Sequence, residues 1–337
     1  MKLDFSDIEK ITLGVESVKE KDGAILFNRF SDEQIPLYDN RTNQNFKHTI
    51  LATSGVKFRF RTDSKFLRIA GILRPTSSRF FYSFDLFVNG EMRDTLDNFS
   101  HLDTKPNYLE KLPFDAFEKT FDLGEGEKEV LLYFPWNAKV FMKEVSLSDG
   151  AFITPVKPEK KMLCFGDSIT QGYDTYYPSN SYISRLAGKL GMEEVNKAIG
   201  GEIFFPPLSA TKPTFYPEII TVAYGTNDWN CTTPEKFEES CRGFYENLSR
   251  NYPDSKIFAI TPIWRKGYDA EKPFGPFERT HTVVEEVTKD LPNVTVIRGF
   301  DFVPKEEKYF SDRSLHPNDE GFFYQAEALY AEIKKYL

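Results

Sequence analysis

The hydrophobic pattern of this chain changes character once, and that change constrains the fold more than any other feature. Ahead of Thr154-Pro155-Val156-Lys157-Pro158-Glu159-Lys160-Lys161 the pattern is that of strands; beyond it, strand-like runs alternate with helical ones. The stretch itself is polar, carries two prolines and has no period, so it reads as a linker. A chain of 337 residues exceeds what one hydrophobic core usually serves, and two domains are the default. The predicted division is a β domain over 1–153, a linker over 154–161 and an α/β domain over 162–337.

In the first part, Val56-Lys57-Phe58-Arg59-Phe60-Arg61 alternates strictly, as a half-buried strand does. Phe84 to Val88 runs into Asn89-Gly90, a strong hairpin signal, and Glu91-Met92-Arg93 leaves it. Gly124 to Gly126 marks another turn, followed by Glu129-Val130-Leu131-Leu132-Tyr133-Phe134. No long helical period occurs here, and an all-β sandwich or jelly roll is expected.

In the second part, strands are expected at Met162–Phe165, Glu194–Asn196, Ile219–Tyr224, Lys256–Ile263 and Val294–Ile297. Helices are expected near Tyr182–Leu190, after Pro234, over Phe277–Asp290 and over Asp319–Tyr336. Phe237, Cys241, Phe244, Tyr245 and Leu248 fall on one face of the second helix, and Pro253 stops it. Such alternation predicts a parallel sheet covered on both faces. Ligands of these sheets sit at the carboxyl ends of the strands.

Four loops at those ends carry the chemistry. Gly166-Asp167-Ser168-Ile169-Thr170 directly follows Met162-Leu163-Cys164-Phe165 and presents one hydroxyl where a helix begins. There Ser168 is either a nucleophile, its N–H aimed at a forming anion, or only a helix cap. Thr170 replaces the second glycine of a Gly-x-Ser-x-Gly elbow, so this is a different motif. Gly200-Gly201 after Asn196 allows close backbone approach to a ligand, or makes a tight turn. Asn227, in Gly225-Thr226-Asn227-Asp228, offers an amide to the same crevice, or closes the strand by an Asx turn. His316 is held extended by Pro317 in the last loop. His48, His101 and His281 lack such a setting, and no two of the four histidines have metal-ligand spacing, which argues against a metal hydrolase.

Taken in order, these blocks resemble the SGNH (GDSL-type) hydrolases over residues 160–337. The whole layout looks like the two-domain carbohydrate esterases of that superfamily. The resemblance implies a flavodoxin-like three-layer sheet after the sandwich, and acyl-ester hydrolysis through an acyl-enzyme without a cofactor. It makes Ser168 the nucleophile and His316 the base. It draws the oxyanion hole from the Ser168 and Gly201 N–H groups and the Asn227 amide. The family's acid stands three residues before the histidine, where this chain has Arg313; Asp312 stands four before. Asp312 is taken as the acid, on the expectation that the loop absorbs one extra residue. Orientation of the ring by a backbone carbonyl is the alternative.

Aromatic residues are abundant, 15% of the chain, and several crowd the expected crevice. Tyr173, Trp229 and Trp264 are the candidate sugar-binding platforms, while Phe204 and Phe205 read as core. Mean hydropathy is negative and no long apolar lid is present, unlike a lipase. Net charge is −8, which argues against a nucleic-acid partner. No window reaches the ~20 apolar residues of a membrane span. Met1 to Lys10 holds no signal-peptide pattern and the three cysteines form no metal-like pair, so a cytoplasmic protein is expected, with secretion left open if the sequence is trimmed. The expected substrate is an acetyl ester of a sugar or short oligosaccharide. The alternatives are a non-carbohydrate ester or thioester, or a sugar-binding protein on an inactive scaffold. The β domain could bind sugar, wall the active site or mediate self-association.

Overall fold

A computed structural model describes residues 1–107 and 109–337. The first part of the chain folds into two antiparallel sheets. One runs in the order Thr12–Leu13, Lys57–Thr62, Lys128–Tyr133, Ser83–Val88, Glu91–Asp97. The other runs Ser17–Lys21, Ala24–Asn28, Ala138–Leu147, Phe66–Pro75, Ala116–Asp122. They bury one shared core, in which Phe27, Phe58, Phe84 and Phe134 meet largely edge to face. Asn89 and Gly90 both have positive φ, 52° and 85°, as a two-residue hairpin turn of this kind requires.

Two features of this part depart from the sequence pattern. A seven-residue helix, Phe5–Ile11, capped by Asp4, precedes the first strand. Thr154–Pro155, read as linker, pairs with Arg61 and Phe60 as an edge strand. Pro155 lacks an N–H, and a sheet edge is where that is tolerated.

The second part is a five-stranded parallel sheet in the order Glu193–Asn196, Lys161–Gly166, Ile219–Ala223, Lys256–Ile260, Val294–Ile297. Alternate residues of its strands feed two separate cores. Leu163, Phe165, Ile220 and Val222 pack with Phe237, Cys241, Phe244, Tyr245 and Leu248 of the helix Pro234–Asn251. Met162, Cys164, Ile219 and Phe258 pack with the helices Tyr182–Leu190 and Asp319–Ile333. The fold is therefore α/β, with three layers here and β sheets ahead of them. The strand order reverses direction at Lys161–Gly166, whose neighbours are the strands that follow it first and second. A crevice opens at such a switch point, beyond the strand's carboxyl end.

Buried polar contacts join the two parts. Arg29 is fully buried, and its guanidinium donates to the carbonyls of Ala52, Thr49, Asn196 and Ala198. Lys57 was a polar position of its alternating strand, yet it is buried, because its ammonium pairs with Glu194 at 3.1 Å. Lys197 pairs with Glu16, Arg41 with Glu202, and Arg79 with Asp174. Among the described residues no helix is long and apolar enough to cross a membrane.

Candidate active site

Ser168 opens the short helix Ser168–Gln171 at the end of the strand Lys161–Gly166. The cap of that helix is Asp167, whose Oδ1 accepts the Ile169 N–H at 3.0 Å. Ser168 is thus released from capping, and its Oγ lies 2.9 Å from His316 Nε2. Gly166 must be glycine for this turn to close: a Cβ there would lie 2.3 Å from Thr170 Oγ1.

His316 Nδ1 lies 2.9 Å from Asp312 Oδ2. These partners set the tautomer, with Nδ1–H donated to the carboxylate and Nε2 left to accept the serine proton. The other oxygen of Asp312 accepts three backbone N–H groups, from Ser314 (2.9 Å), Leu315 (2.7 Å) and His316 (3.2 Å). Arg313, which follows Asp312, turns left-handed at φ 57°. Burial pushes the Asp312 carboxyl up, but the hydrogen bond and charge of His316 and the two nearer N–H groups outweigh it and hold the carboxyl well below its usual range.

A second carboxylate approaches the same ring, and nothing in the sequence pointed to it. Asp174 Oδ2 lies 3.6 Å from His316 Nδ1. Asp174 is buried, sits at φ 70° and is gripped by both Nε and Nη2 of Arg79. Asp174, Asp312 and His316 are the grouping of possible metal ligands found among the described residues. Their ligand atoms are already engaged with Arg79, with the Asp312 loop and with one another.

The expected oxyanion donors lie on the two neighbouring loops. Gly201 is exposed and left-handed at φ 82°. The loop is tied to the nucleophile's helix by Gly200 N–H, which donates to Gln171 Oε1 at 2.7 Å. Asn227, in the helix Thr226–Cys231, donates from Nδ2 to Glu202 O at 3.0 Å, which links these two loops. Beneath them Asp228 Oδ1 accepts the Phe204 N–H at 3.2 Å. Burial pushes Glu202 and Asp228 up to about 7 and Asp167 up to about 6.

The three expected aromatic platforms fare differently. Tyr173 stacks on the His316 ring, centroids 5.5 Å apart and planes 28° apart, and lies half-buried beside the site. Trp229 does not face the crevice. It is 2% exposed, its indole N–H donates to Gly275 O at 2.9 Å, and Phe277 packs edge-on against it. The reason is helical phase: two residues beyond Asn227 is about 200° around the helix. Trp264 is also buried, packed at 5.2 Å against Phe310 in the core.

Two cavities lie near the site, one beside Tyr173 and one bordered by the His316 loop. One, of about 340 Å³, reaches Tyr173 and Gly200 and is otherwise walled by residues 43–49 and 75–78 of the first part of the chain. The other, of about 440 Å³, reaches Asp174, Ser311 and Arg313 and is closed from the opposite side by Phe81 and Lys105.

Residues 164–322 match the sequence model of the GDSL-like lipase/acylhydrolase family. No curated protein matches the chain. Among solved structures it is similar to the salicylyl-acyltransferase SsfX3 of a tetracycline biosynthetic pathway, at 19% identity and TM-score 0.80, over 99% of this chain and 97% of that one. It is similar to a family two carbohydrate esterase from Clostridium thermocellum in complex with cellohexaose, at 18% identity and TM-score 0.63, over 84% and 93%. It is also similar to a family two carbohydrate esterase from Cellvibrio japonicus, at 14% identity and TM-score 0.65, over 98% and 96%. At these identities the likeness is one of fold.

Proposed function

We propose that this chain, whose C-terminal unit is a GDSL-like acylhydrolase domain, removes small acyl groups, acetyl foremost, from the hydroxyls of carbohydrates. The observation that carries the reading is the continuous relay Ser168 Oγ, His316 Nε2, His316 Nδ1, Asp312 Oδ2, with 2.9 Å at each hydrogen bond.

In this reading Ser168 Oγ attacks the ester carbonyl as its proton passes to His316 Nε2. Asp312 stabilises the imidazolium that forms and keeps the ring's orientation. Ser168 N–H, Gly201 N–H and the second amide hydrogen of Asn227 receive the oxyanion. The ester C–O bond then breaks, and His316 returns its proton to the departing sugar oxygen. Water repeats the sequence on the acyl-enzyme, releases the acid and restores Ser168.

Acetyl-sugar specificity draws support from the esterase neighbours, one of them holding cellohexaose, and from the polar walls beside the site. The test is acetate release from acetylated xylo- and cello-oligosaccharides, with aryl acetate and acyl-CoA in parallel. Ser168→Ala is expected to abolish turnover and labelling by a fluorophosphonate probe. Labelling that maps to another residue, or wild-type turnover no higher than that of Ser168→Ala, overturns the mechanism. Turnover of aryl acetate with none of any acetylated sugar overturns the substrate assignment.

A further inference from the structure

We infer that the 340 Å³ cavity beside Tyr173 and Gly200 is the subsite for the sugar, that it takes a neutral, hydroxyl-rich group, and that residues 43–49 and 75–78 of the first part of the chain supply its specificity. The inference rests on the acetyl-carbohydrate reading above and adds to it a place and a selectivity.

Position comes first. Gly200 immediately precedes Gly201, the expected oxyanion donor, and Tyr173 is the ring stacked on His316. A group in this cavity therefore touches the residue before Gly201 and the ring stacked on His316, next to where the scissile ester would lie. The contact is tight: a Cβ on Gly200 would lie 2.6 Å from the Tyr173 ring, so only glycine lets these two walls meet.

Chemistry comes second. The walls contributed by the first part of the chain include Asn43, Asn45, His48, Thr76, Ser77 and Ser78. Amides, hydroxyls and an imidazole both donate and accept, which matches sugar hydroxyls. Among the described residues no carboxylate, lysine or arginine lines this cavity. The 440 Å³ cavity bordered by the His316 loop is the contrast, its lining including Lys105, Lys308, Arg313, Asp174 and Glu307. A neutral polyol matches the first lining and a charged ligand does not.

The subsite is also built rather than incidental. Thr76 is buried, yet its Oγ1 has no hydrogen-bond partner among the described residues. A buried hydroxyl left without a partner is costly, and a turn of the Thr76 side chain toward the cavity that the residue lines would let a ligand hydroxyl satisfy it. The two wall segments are fixed to each other by Thr49 Oγ1, which donates to Thr76 O at 3.0 Å. Arg79 fixes the second segment to the catalytic loop. Its N–H donates to Ser77 Oγ at 3.0 Å and its Nη1 to Ser78 Oγ at 2.9 Å, while its remaining nitrogens hold Asp174. The volume lies within the range of small-molecule sites, which begins at about 300 Å³.

The experiment compares kcat/KM for an acetylated neutral oligosaccharide with kcat/KM for 4-nitrophenyl acetate, in wild type, Asn45→Ala and Thr76→Val. Asn45 is exposed and Thr76→Val keeps the side-chain shape, so folding is checked simply by Tm. The ratio of the two constants is expected to fall about tenfold in each variant, the loss of one good hydrogen bond. Acetylated uronic-acid oligosaccharides are expected to be poorer substrates than neutral ones of equal length. A ratio unchanged in both variants, or a preference for the acidic sugars, overturns the subsite assignment. Wild type that cleaves the aryl ester and no acetylated sugar overturns instead the reading on which the assignment rests.

Discussion

Replacing Asp312 by Asn separates the three tasks that its carboxylate performs. The first is structural: Oδ1 accepts the N–H groups of Ser314, Leu315 and His316. An Asn side chain keeps this, because its carbonyl oxygen can occupy the Oδ1 position. It cannot flip, since an amide NH2 would then face three N–H donors. The NH2 must therefore lie where Oδ2 was, 2.9 Å from His316 Nδ1. The second task, setting the tautomer, is thereby inverted. Nδ1 becomes the acceptor, Nε2 carries the hydrogen, and it meets Ser168 Oγ as a donor unable to take its proton. The third task, charge stabilisation of the imidazolium, is lost.

The expected loss is about 10⁴-fold in kcat, or about 5.5 kcal/mol of transition-state stabilisation, the scale seen when a triad acid becomes its amide. KM for a small aryl ester is expected to change little, since Asp312 touches no substrate. Steady-state kinetics on 4-nitrophenyl acetate, with Tm as a check on the loop, measures both. A fall of less than tenfold would refute the reasoning, because another group must then orient the ring. Asp174, 3.6 Å from the same nitrogen, is the first such group, and a backbone carbonyl the second. The wild-type carboxylate is held below its usual range, so its contribution to stability is complete above about pH 4 and is lost as pH falls through the lower folded value.

Asn227→Ala is expected to cost about 10²–10³ in kcat by removing one oxyanion donor, and kinetics on any accepted ester reads it. Gly200→Ala places a methyl 2.6 Å from the Tyr173 ring and so displaces the ring that stacks on His316; a fall of about 10–100-fold in kcat is expected. Glu202 and Asp228 are pushed up to about 7 by burial, so between about pH 4.5 and 7 the folded state holds protons that the unfolded state has released. Stability is therefore expected to fall as pH rises through that window, by about 3 kcal/mol per group, and Glu202→Gln to flatten the decline; parallel Tm–pH curves for variant and wild type would contradict this.

The parts of the fold that were legible in the sequence are those governed by local periodicity. The helix Pro234–Asn251 buries the five residues whose spacing marked it, and Asn89-Gly90 turns the hairpin it signalled. Strand ends follow the apolar pattern less closely: Lys256–Ile260 stops three residues before the apolar run does. That apolar continuation packs as a loop, with Ile263 and Trp264 in the core. Trp229 differs for a related reason: closeness to Asn227 in sequence is not closeness in space, because the helix carries the ring to its far side. Spacing also left Asp312 ambiguous. Only the left-handed turn at Arg313 shows how a carboxylate four residues away meets the ring. Arg79 and Asp174, 95 residues apart, have no local signature at all, because nothing in either segment's pattern names the other.

That long-range pair explains why the chain joins its sheets through buried charge rather than through apolar packing alone. A buried ion pair is a poor source of net stability, since desolvation offsets much of its attraction. What it supplies is position. Arg29, Lys57, Lys197 and Arg79 each have a definite partner across the junction, and a slip between the two halves would strand a buried charge, a penalty of about 3–5 kcal/mol for each pair broken. Apolar surfaces tolerate such slips; these contacts do not. The tolerance matters here because His316, hydrogen-bonded to Asp312 of its own loop, also has the Asp174 carboxylate 3.6 Å away, and Arg79 of the other half fixes that carboxylate. The register between the halves thus sets the surroundings of the imidazole, and the β sheets belong to the site's construction as much as the strand ends that carry Ser168 and His316.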